Sequence, residues 1–256
     1  MKFHNSIQVD VPNGNRIVWR YLSTWKFEKL VQESALFFSA ANMLSDQYEV
    51  TIPESTIKKK RKLLKQEGYK GHALKEQIAA FNWEANPLKD RVLVNCWSLR
   101  RHESYALWKI YLGGDRNGVA IRSTVASIRR SIEKGDDPIA ENFSYARVKY
   151  RNYLHPDNLS RESLATTKKP FYDFEEEFRI FILRDEARHN SEAPSELKNH
   201  GRNVQVDLKE LVKSVYVSPF ADSSYVKNVG RLLQSVGVGV GKIQDSAIRE
   251  FPTVRV

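Results

Sequence analysis

The chain has 256 residues, a length that fits one large domain, or one domain carrying an insertion, and leaves little room for two independent cores. Its 41% hydrophobic and 11% aromatic content supplies a packed interior and excludes a wholly disordered or low-complexity chain. With 41 Lys and Arg against 31 Asp and Glu, the net charge is +10, so the expected partners are polyanions or anionic cofactors.

A single cysteine excludes an internal disulfide framework and a thiolate zinc cluster, and suits a reducing compartment, the cytoplasm. The opening MKFHNSIQVDVPNGN is polar, with no apolar signal core, and no stretch approaches the ~18 apolar residues of a membrane span. The sequence therefore reads as soluble, unexported and without a membrane partner.

Residues 16–22 (RIVWRYL) are apolar and β-prone and predict a first strand. Ser23 or Thr24 can cap a helix in which Phe27, Leu30 and Val31 recur at 3.6-residue spacing, and Leu36, Phe37, Phe38 and Ser39 suit a second strand. Residues 54–85 read as a basic helical insertion, broken near Gly68 and Gly71. A third strand is expected over 91–97, a helix over 103–111, a strand over 117–122 and a helix over 124–134 that ends at Gly135. Beyond these come a strand over 144–150, a polar linker (HPDNLSRESLATTKKP), a strand over 171–183 and a charged, mobile surface loop over 184–202. The strand VKSVYVSP, a helix carrying Tyr225, Val226, Val229, Leu232 and Leu233, and a glycine-punctuated strand over 237–243 close the chain. The expected fold is α+β: a single mixed-sheet domain over 1–256 with the 54–85 insertion inside it, and no regular βαβ alternation.

In FYDFEEEFRIFIL, residues 171–183, period 2 puts Phe174, Phe178, Ile180 and Ile182 on one face and Glu175, Glu177, Arg179 and Phe181 on the other. Two carboxylates beside a guanidinium can stabilise a cationic centre and tune a pKa, whereas the plainer reading is a solvent-facing edge strand with a routine ion pair. In Trp19-Arg20-Tyr21 a strand-borne guanidinium suits bidentate phosphate binding, although a surface arginine is the commoner case. Ser39, ending FFS, is similarly placed, and a lone serine there is usually a turn residue.

Lys58, Lys59, Lys60, Arg61 and Lys62 resemble a nucleic-acid patch, but five consecutive charges on a helix cannot share one side, and a solvated helix is the plainer account. Summed with Lys65, Lys70 and Lys75, they still make the insertion the leading electrostatic surface for nucleic acid. GVGVGK at 237–242 lacks the spacing of a phosphate-binding loop, the six histidines have no metal-ligand spacing, and Cys96 falls in an apolar strand pattern that suits an inert buried thiol. No metal site is expected.

Taken in order, WRY, FFS, NCWSLRRHESYALWKIYLGG, GVAIR, KKPFYDFEEEFRI and VYVSPFA resemble a widespread bacterial family of unknown function, typified by a Cys-Trp strand, a Glu-Ser...Trp-Lys-x-Tyr helix, Gly-Val-Ala-Ile and a Glu-x-Glu-x-Arg strand. The resemblance spans most of the chain except the insertion and the loop after residue 184. More distantly, an arginine on a first strand, a strand ending in serine and a later Glu-x-Glu strand are similar to the Arg-Ser-Glu pattern of ADP-ribosyltransferases. That likeness implies an ADP-ribosyltransferase-like fold and NAD as co-substrate, with Arg20, Tyr21 and Ser39 on the dinucleotide, Glu177 on the nicotinamide ribose and Glu175 positioning an acceptor. It also implies a toxin or phage-defence effector that modifies nucleic acid or protein, with an antitoxin or defence-system partner. Ser39 departs from the pattern, being followed by Ala40 and Ala41 where Thr-Ser commonly flanks the serine. Two alternatives remain open: a non-catalytic basic nucleic-acid-binding protein, and a nuclease in which Glu175 and Glu177 hold a divalent cation.

Overall fold

In the computed structural model, which describes residues 10–83, 88–137, 143–183 and 200–249, the chain is α+β with both parallel and antiparallel strand pairs, the class its sequence predicts. It begins with β1 (Ile17–Ser23), α1 (Thr24–Glu33) and β2 (Ala35–Ala40), followed by α2 (Glu54–Gln66), α3 (Gly71–Trp83) and α4 (Leu88–Arg91). The middle holds β3 (Val92–Ser98), α5 (Tyr105–Leu112), β4 (Gly118–Thr124), α6 (Val125–Lys134), β5 (Phe143–Arg147) and β6 (Lys149–Tyr150). Then come α7 (Arg161–Ala165), β7 (Thr167–Lys168), β8 (Glu177–Leu183), β9 (Gly201–Gln205), α8 (Leu208–Leu211), β10 (Ser214–Val217), α9 (Ser223–Ser235) and β11 (Ile243–Gln244).

The chain divides into two compact units. The first comprises Met1–Val11, Phe38–Asn95 and Glu141–Arg202, and the second Pro12–Phe37, Cys96–Ala140 and Asn203–Val256.

In the second unit β1 pairs antiparallel with β4 along its whole length, from Ile17↔Thr124 to Ser23↔Gly118, and with the end of β3 at Trp19↔Ser98. β10 lies antiparallel to β4, and β11 parallel to β10. Gly118 makes the β1–β4 approach possible, because a Cβ there would stand 2.6 Å from the Leu22 carbonyl oxygen. α1 buries Phe27, Leu30 and Val31, and α6 buries Val125, Ile128 and Ile132, the 3.6-residue stripes read from the sequence. Thr124 caps α6 by accepting from Ser127 N at 3.1 Å, and Ser104 caps α5 by accepting from Leu107 N at 3.4 Å, so α5 starts two residues later than predicted.

In the first unit β2 pairs antiparallel with β3 (Ser39↔Val94, Ala40↔Leu93), while β8 pairs with β3 and, antiparallel, with β5 from Phe143↔Ile182 to Arg147↔Phe178. The insertion is helical as predicted. Thr56 of α2, fully buried, donates to Leu154 O at 2.6 Å and accepts from Leu154 N at 3.1 Å, which anchors the helix to that segment.

Several expectations need correction. The strand predicted over 171–183 begins only at Glu177, because Pro170 opens a 3-10 turn over Pro170–Glu175 and Glu176 adopts a left-handed conformation with φ of 43°. β8 is also buried from Glu177 to Ile182, since strands flank both its edges, and it is not a solvent-facing edge. The linker after residue 154 contains α7, started by a capping box between Ser160 and Ser163, and then β7. The last strand shrinks to β11, because Gly237 at φ of 69° turns the chain and Val240–Lys242 forms a 3-10 turn. The strand predicted over 144–150 is divided into β5 and β6. Residues 184–199 of the predicted mobile loop lie outside the described residues, and Gly201 and Arg202 begin β9.

Candidate active site

The Glu-x-Glu-x-Arg segment is the centre of a buried charge network lying wholly within the first unit. Glu177 and Arg179, two apart on β8, share a face of the strand. Arg179 is 1% exposed and donates from Nε to Glu177 Oε1 at 2.8 Å and from Nη2 to Glu177 Oε2 at 3.1 Å. Its Nη1 donates to Ala165 O at 2.8 Å, and Nη2 also reaches Glu49 Oε2. Lys168 on β7 is the second cation. Its Nζ lies 2.9 Å from Glu175 Oε2, 3.2 Å from Glu49 Oε1 and 3.4 Å from Glu177 Oε2. The Tyr150 hydroxyl accepts from Glu177 N at 2.7 Å and fixes the start of the strand.

Among the described residues three carboxylates are grouped with two cations, so each cation is well compensated. Burial alone would lower the Lys168 pKa, but the charges of Glu177, Glu49 and Glu175 overcome it and hold the ammonium well above its usual range. Glu175 goes the other way: burial raises its pKa, with Glu177 and Glu49 adding to the rise against the pull of Lys168. Tyr150 is also raised, by burial first and by the Glu177 and Glu175 charges. The Glu175 side chain is 13% exposed against 4% for Glu177, so Glu175 is the carboxyl nearer solvent. The position between the carboxylates that a divalent cation would need is filled by the Lys168 ammonium, which leaves the nuclease alternative without a place for its metal.

Arg20 stands in the second unit, on β1 opposite Ile121, with its guanidinium 5.8 Å from the centroid of the Trp97 ring. Its Nη1 is buried with no hydrogen-bond partner. Burial pushes its pKa down to about 10, a fall only partly offset by Cys96 and Tyr111. Lys26 on α1 is also lowered, by burial and by the charge of Arg20. Among the described residues neither cation has a carboxylate within salt-bridge range. A buried guanidinium whose charge also depresses a neighbouring ammonium makes a site an anion would relieve.

The other predicted residues are placed as follows. Tyr21 is 4% exposed, and its hydroxyl accepts from Ser104 N at 2.8 Å, so it anchors the start of α5, with its own pKa pushed up to about 12 by burial. It packs edge-on against Trp108 and stacks on Tyr111 with centroids 6.1 Å apart. Ser39 is half-buried on β2 and donates to Ala40 O at 3.3 Å. Lys58, Arg61 and Lys62 are exposed, whereas Lys59 and Lys60 are half-buried. Lys58 pairs with Glu54 at 2.8 Å, and Lys60 lies 5.8 Å from the Phe81 ring centroid, so the five charges are spread around α2. Cys96 is half-buried, not the fully buried thiol expected. Glu49, Lys168 and Tyr150 in the network, and Lys26 and Tyr111 beside Arg20, were not singled out from sequence. Only the KKPFY tract hinted at Lys168.

No family model matches the chain, and no curated protein does. Among solved structures the chain is similar to Thermus sp. 2.9 DarT in complex with ADP-ribosylated ssDNA, at 10% identity and a TM-score of 0.40, covering 94% of this chain and 98% of that one. It is also similar to Thermus sp. 2.9 DarT in complex with carba-NAD+, at 10% identity and a TM-score of 0.37, covering 92% and 97%. At that identity and score the likeness carries no residue role across.

Proposed function

We propose that the chain is an NAD-consuming ADP-ribosyltransferase-like enzyme. The observation that carries this reading is Arg20, a strand-borne guanidinium with a buried, unpartnered Nη1 and no carboxylate to neutralise it. A dinucleotide diphosphate has the charge and bidentate geometry such a group lacks, and Lys26 adds a second positive charge. Tyr111, 40% exposed and parallel to Tyr21, offers a flat face suited to an aromatic base.

In the reaction the bond between the nicotinamide nitrogen and the ribose carbon breaks, and its electron pair neutralises the pyridinium. The ribose is left with oxocarbenium character, which a fixed carboxylate stabilises. An acceptor nucleophile then bonds to the ribose carbon and gives up its proton. Glu175, nearer solvent than Glu177 and with its proton affinity raised, has the chemistry of a general base. Glu177, gripped by Arg179 and Lys168, is the residue that holds the network in shape.

The acceptor we propose is nucleic acid, supported by the net charge of +10 and by exposed Lys58, Arg61, Lys62 and Lys65 on α2. We place the enzyme in the cytoplasm as a toxin or defence effector, where an NAD consumer needs an antitoxin or a similar partner to restrain it. Among the described residues no helix is long and apolar enough to cross a membrane.

The test is nicotinamide release from NAD by the purified chain. Arg20→Gln is expected to lower it about 100-fold while leaving folding intact. Equal release by both proteins overturns the reading.

A further inference from the structure

Two neighbouring pairs of residues cross in the first unit. Glu49 meets Lys168 at 3.2 Å inside, with side chains 4% and 7% exposed. One residue earlier on one segment and one later on the other, Tyr48 meets Lys169 outside, the ammonium 3.4 Å from the centroid of the ring. A buried ion pair and an exposed cation–π pair thus form two rungs of one crossing. The inner rung belongs to the network that contains Glu175, and the outer rung is one residue from it on both segments.

The outer rung is unusual for a water-facing surface. Tyr48 is 65% exposed, and Phe171, two residues beyond Lys169 and held by the turn that starts at Pro170, is 77% exposed. The backbone under both rings is held: Tyr48 N donates to Asp46 Oδ1 at 2.9 Å, and Phe171 lies in a 3-10 turn. Lys89 Nζ donates to the Gln47 carbonyl, which sets another cation one residue from Tyr48. Exposed aromatic faces beside ammonium groups make a poor seat for an apolar protein segment, which would bury those charges without pairing them. They suit a strand whose flat bases are exposed and whose backbone is anionic, and a duplex hides the base faces such rings need.

We propose that Tyr48, Lys169 and Phe171 form a stacking platform that receives the bases of single-stranded nucleic acid beside Glu175. The proposal builds on the transferase reading by naming where its acceptor sits, but binding can be measured without turnover. The experiment is fluorescence anisotropy of labelled oligothymidylate, and of a duplex of the same length, with the full chain at low and high salt. Tyr48→Ala and Phe171→Ala are each expected to weaken single-strand binding about 5- to 100-fold, with Tyr48→Trp and Phe171→Trp retaining it. Lys169→Gln should reduce the salt slope by about 0.7. Both rings are on the surface, so these variants should fold as wild type does.

Wild-type affinity for oligothymidylate that is undetectable, no better than for duplex, or unchanged in both alanine variants overturns the platform. Binding that does not respond to salt also overturns it and assigns the rings to an apolar protein partner. Nicotinamide release without nucleic acid separates the two ideas. The platform variants should retain it, and Arg20→Gln should lose it while still binding the oligonucleotide. Oligonucleotide binding that depends on the rings, in a wild-type protein that releases no nicotinamide, leaves the platform standing and removes the transferase reading.

Discussion

Arg20 on β1 and Arg179 on β8 both hold guanidinium nitrogens away from water, and they are satisfied in opposite ways. Arg179 donates from Nε, Nη1 and Nη2 to Glu177, Ala165 and Glu49, whereas Arg20 leaves a buried Nη1 without a hydrogen-bond partner and lies near the Trp97 ring. Burying a charge is costly wherever it happens, so a fold built for stability alone would compensate both. The contrast separates an arginine paired on several sides within its unit from one with a buried nitrogen left without a hydrogen-bond partner.

The largest effect expected from this contrast is on stability. Arg179→Met should cost about 3 to 5 kcal/mol in denaturant unfolding, because it leaves Glu49 and Glu177 buried with Lys168 as their remaining cation. Arg20→Met should cost nothing or stabilise, since it removes a charge with a buried, unpartnered nitrogen and leaves an apolar side chain in its place. Equal losses in the two variants would break the distinction between them.

The next effect sharpens the distinction through activity. Arg20→Met should lower nicotinamide release about 100-fold despite its intact fold, a loss of transition-state stabilisation near 3 kcal/mol. Thermal unfolding followed with and without NAD gives the binding side of the same test: NAD should raise the wild-type midpoint and leave that of the variant unchanged.

The same contrast explains what could be read from the sequence. The strand-borne Arg20 was legible because RIVWRYL is apolar on either side of it, and α1, α6 and α9 were legible from stripes such as Val125, Ile128 and Ile132. That Arg20 lacks a partner was not legible, because a missing contact has no sequence pattern. Glu175, Glu177 and Arg179 announced a cluster, yet the period-2 pattern overran Pro170 and put Glu175 on a strand it precedes. Glu49 was invisible for a different reason, standing 130 residues from the Arg179 it pairs with, in a turn with no periodicity.

A smaller effect concerns Glu175, whose folded pKa is raised. The folded state binds its proton more tightly than the unfolded chain does, so this group's contribution to stability falls as pH rises from the ordinary carboxylate range through the folded pKa. Glu175→Gln should therefore flatten the pH dependence of unfolding over that interval. A steeper dependence in the variant would place the strain elsewhere in the network.

The smallest effect comes from a surface cluster. Glu210 on α8 accepts from Arg130 at 2.9 Å, Lys134 at 3.1 Å and Lys213 at 3.2 Å, and these contacts, Arg130 first, bring its pKa down to about 2. Here the folded state favours the ionised form, so the contribution is present above the ordinary carboxylate pKa and is lost as pH falls toward about 2. Water reaches all three cations, and Glu210→Gln should cost about 1 kcal/mol or less at neutral pH. A loss as large as that of Arg179→Met would mean that burial is not what separates the two clusters.

The paired rungs at Tyr48–Lys169 and Glu49–Lys168 have a consequence for inheritance. The inner pair is constrained, because a change at either residue removes one charge from the buried network that both belong to. The outer pair has no such tie to the core and can vary one residue at a time. A lineage descending from this chain could therefore change what docks on the outside by single substitutions without disturbing the charges beneath. A one-residue slip of either segment, by contrast, would put an aromatic ring where a carboxylate belongs and would be eliminated at folding.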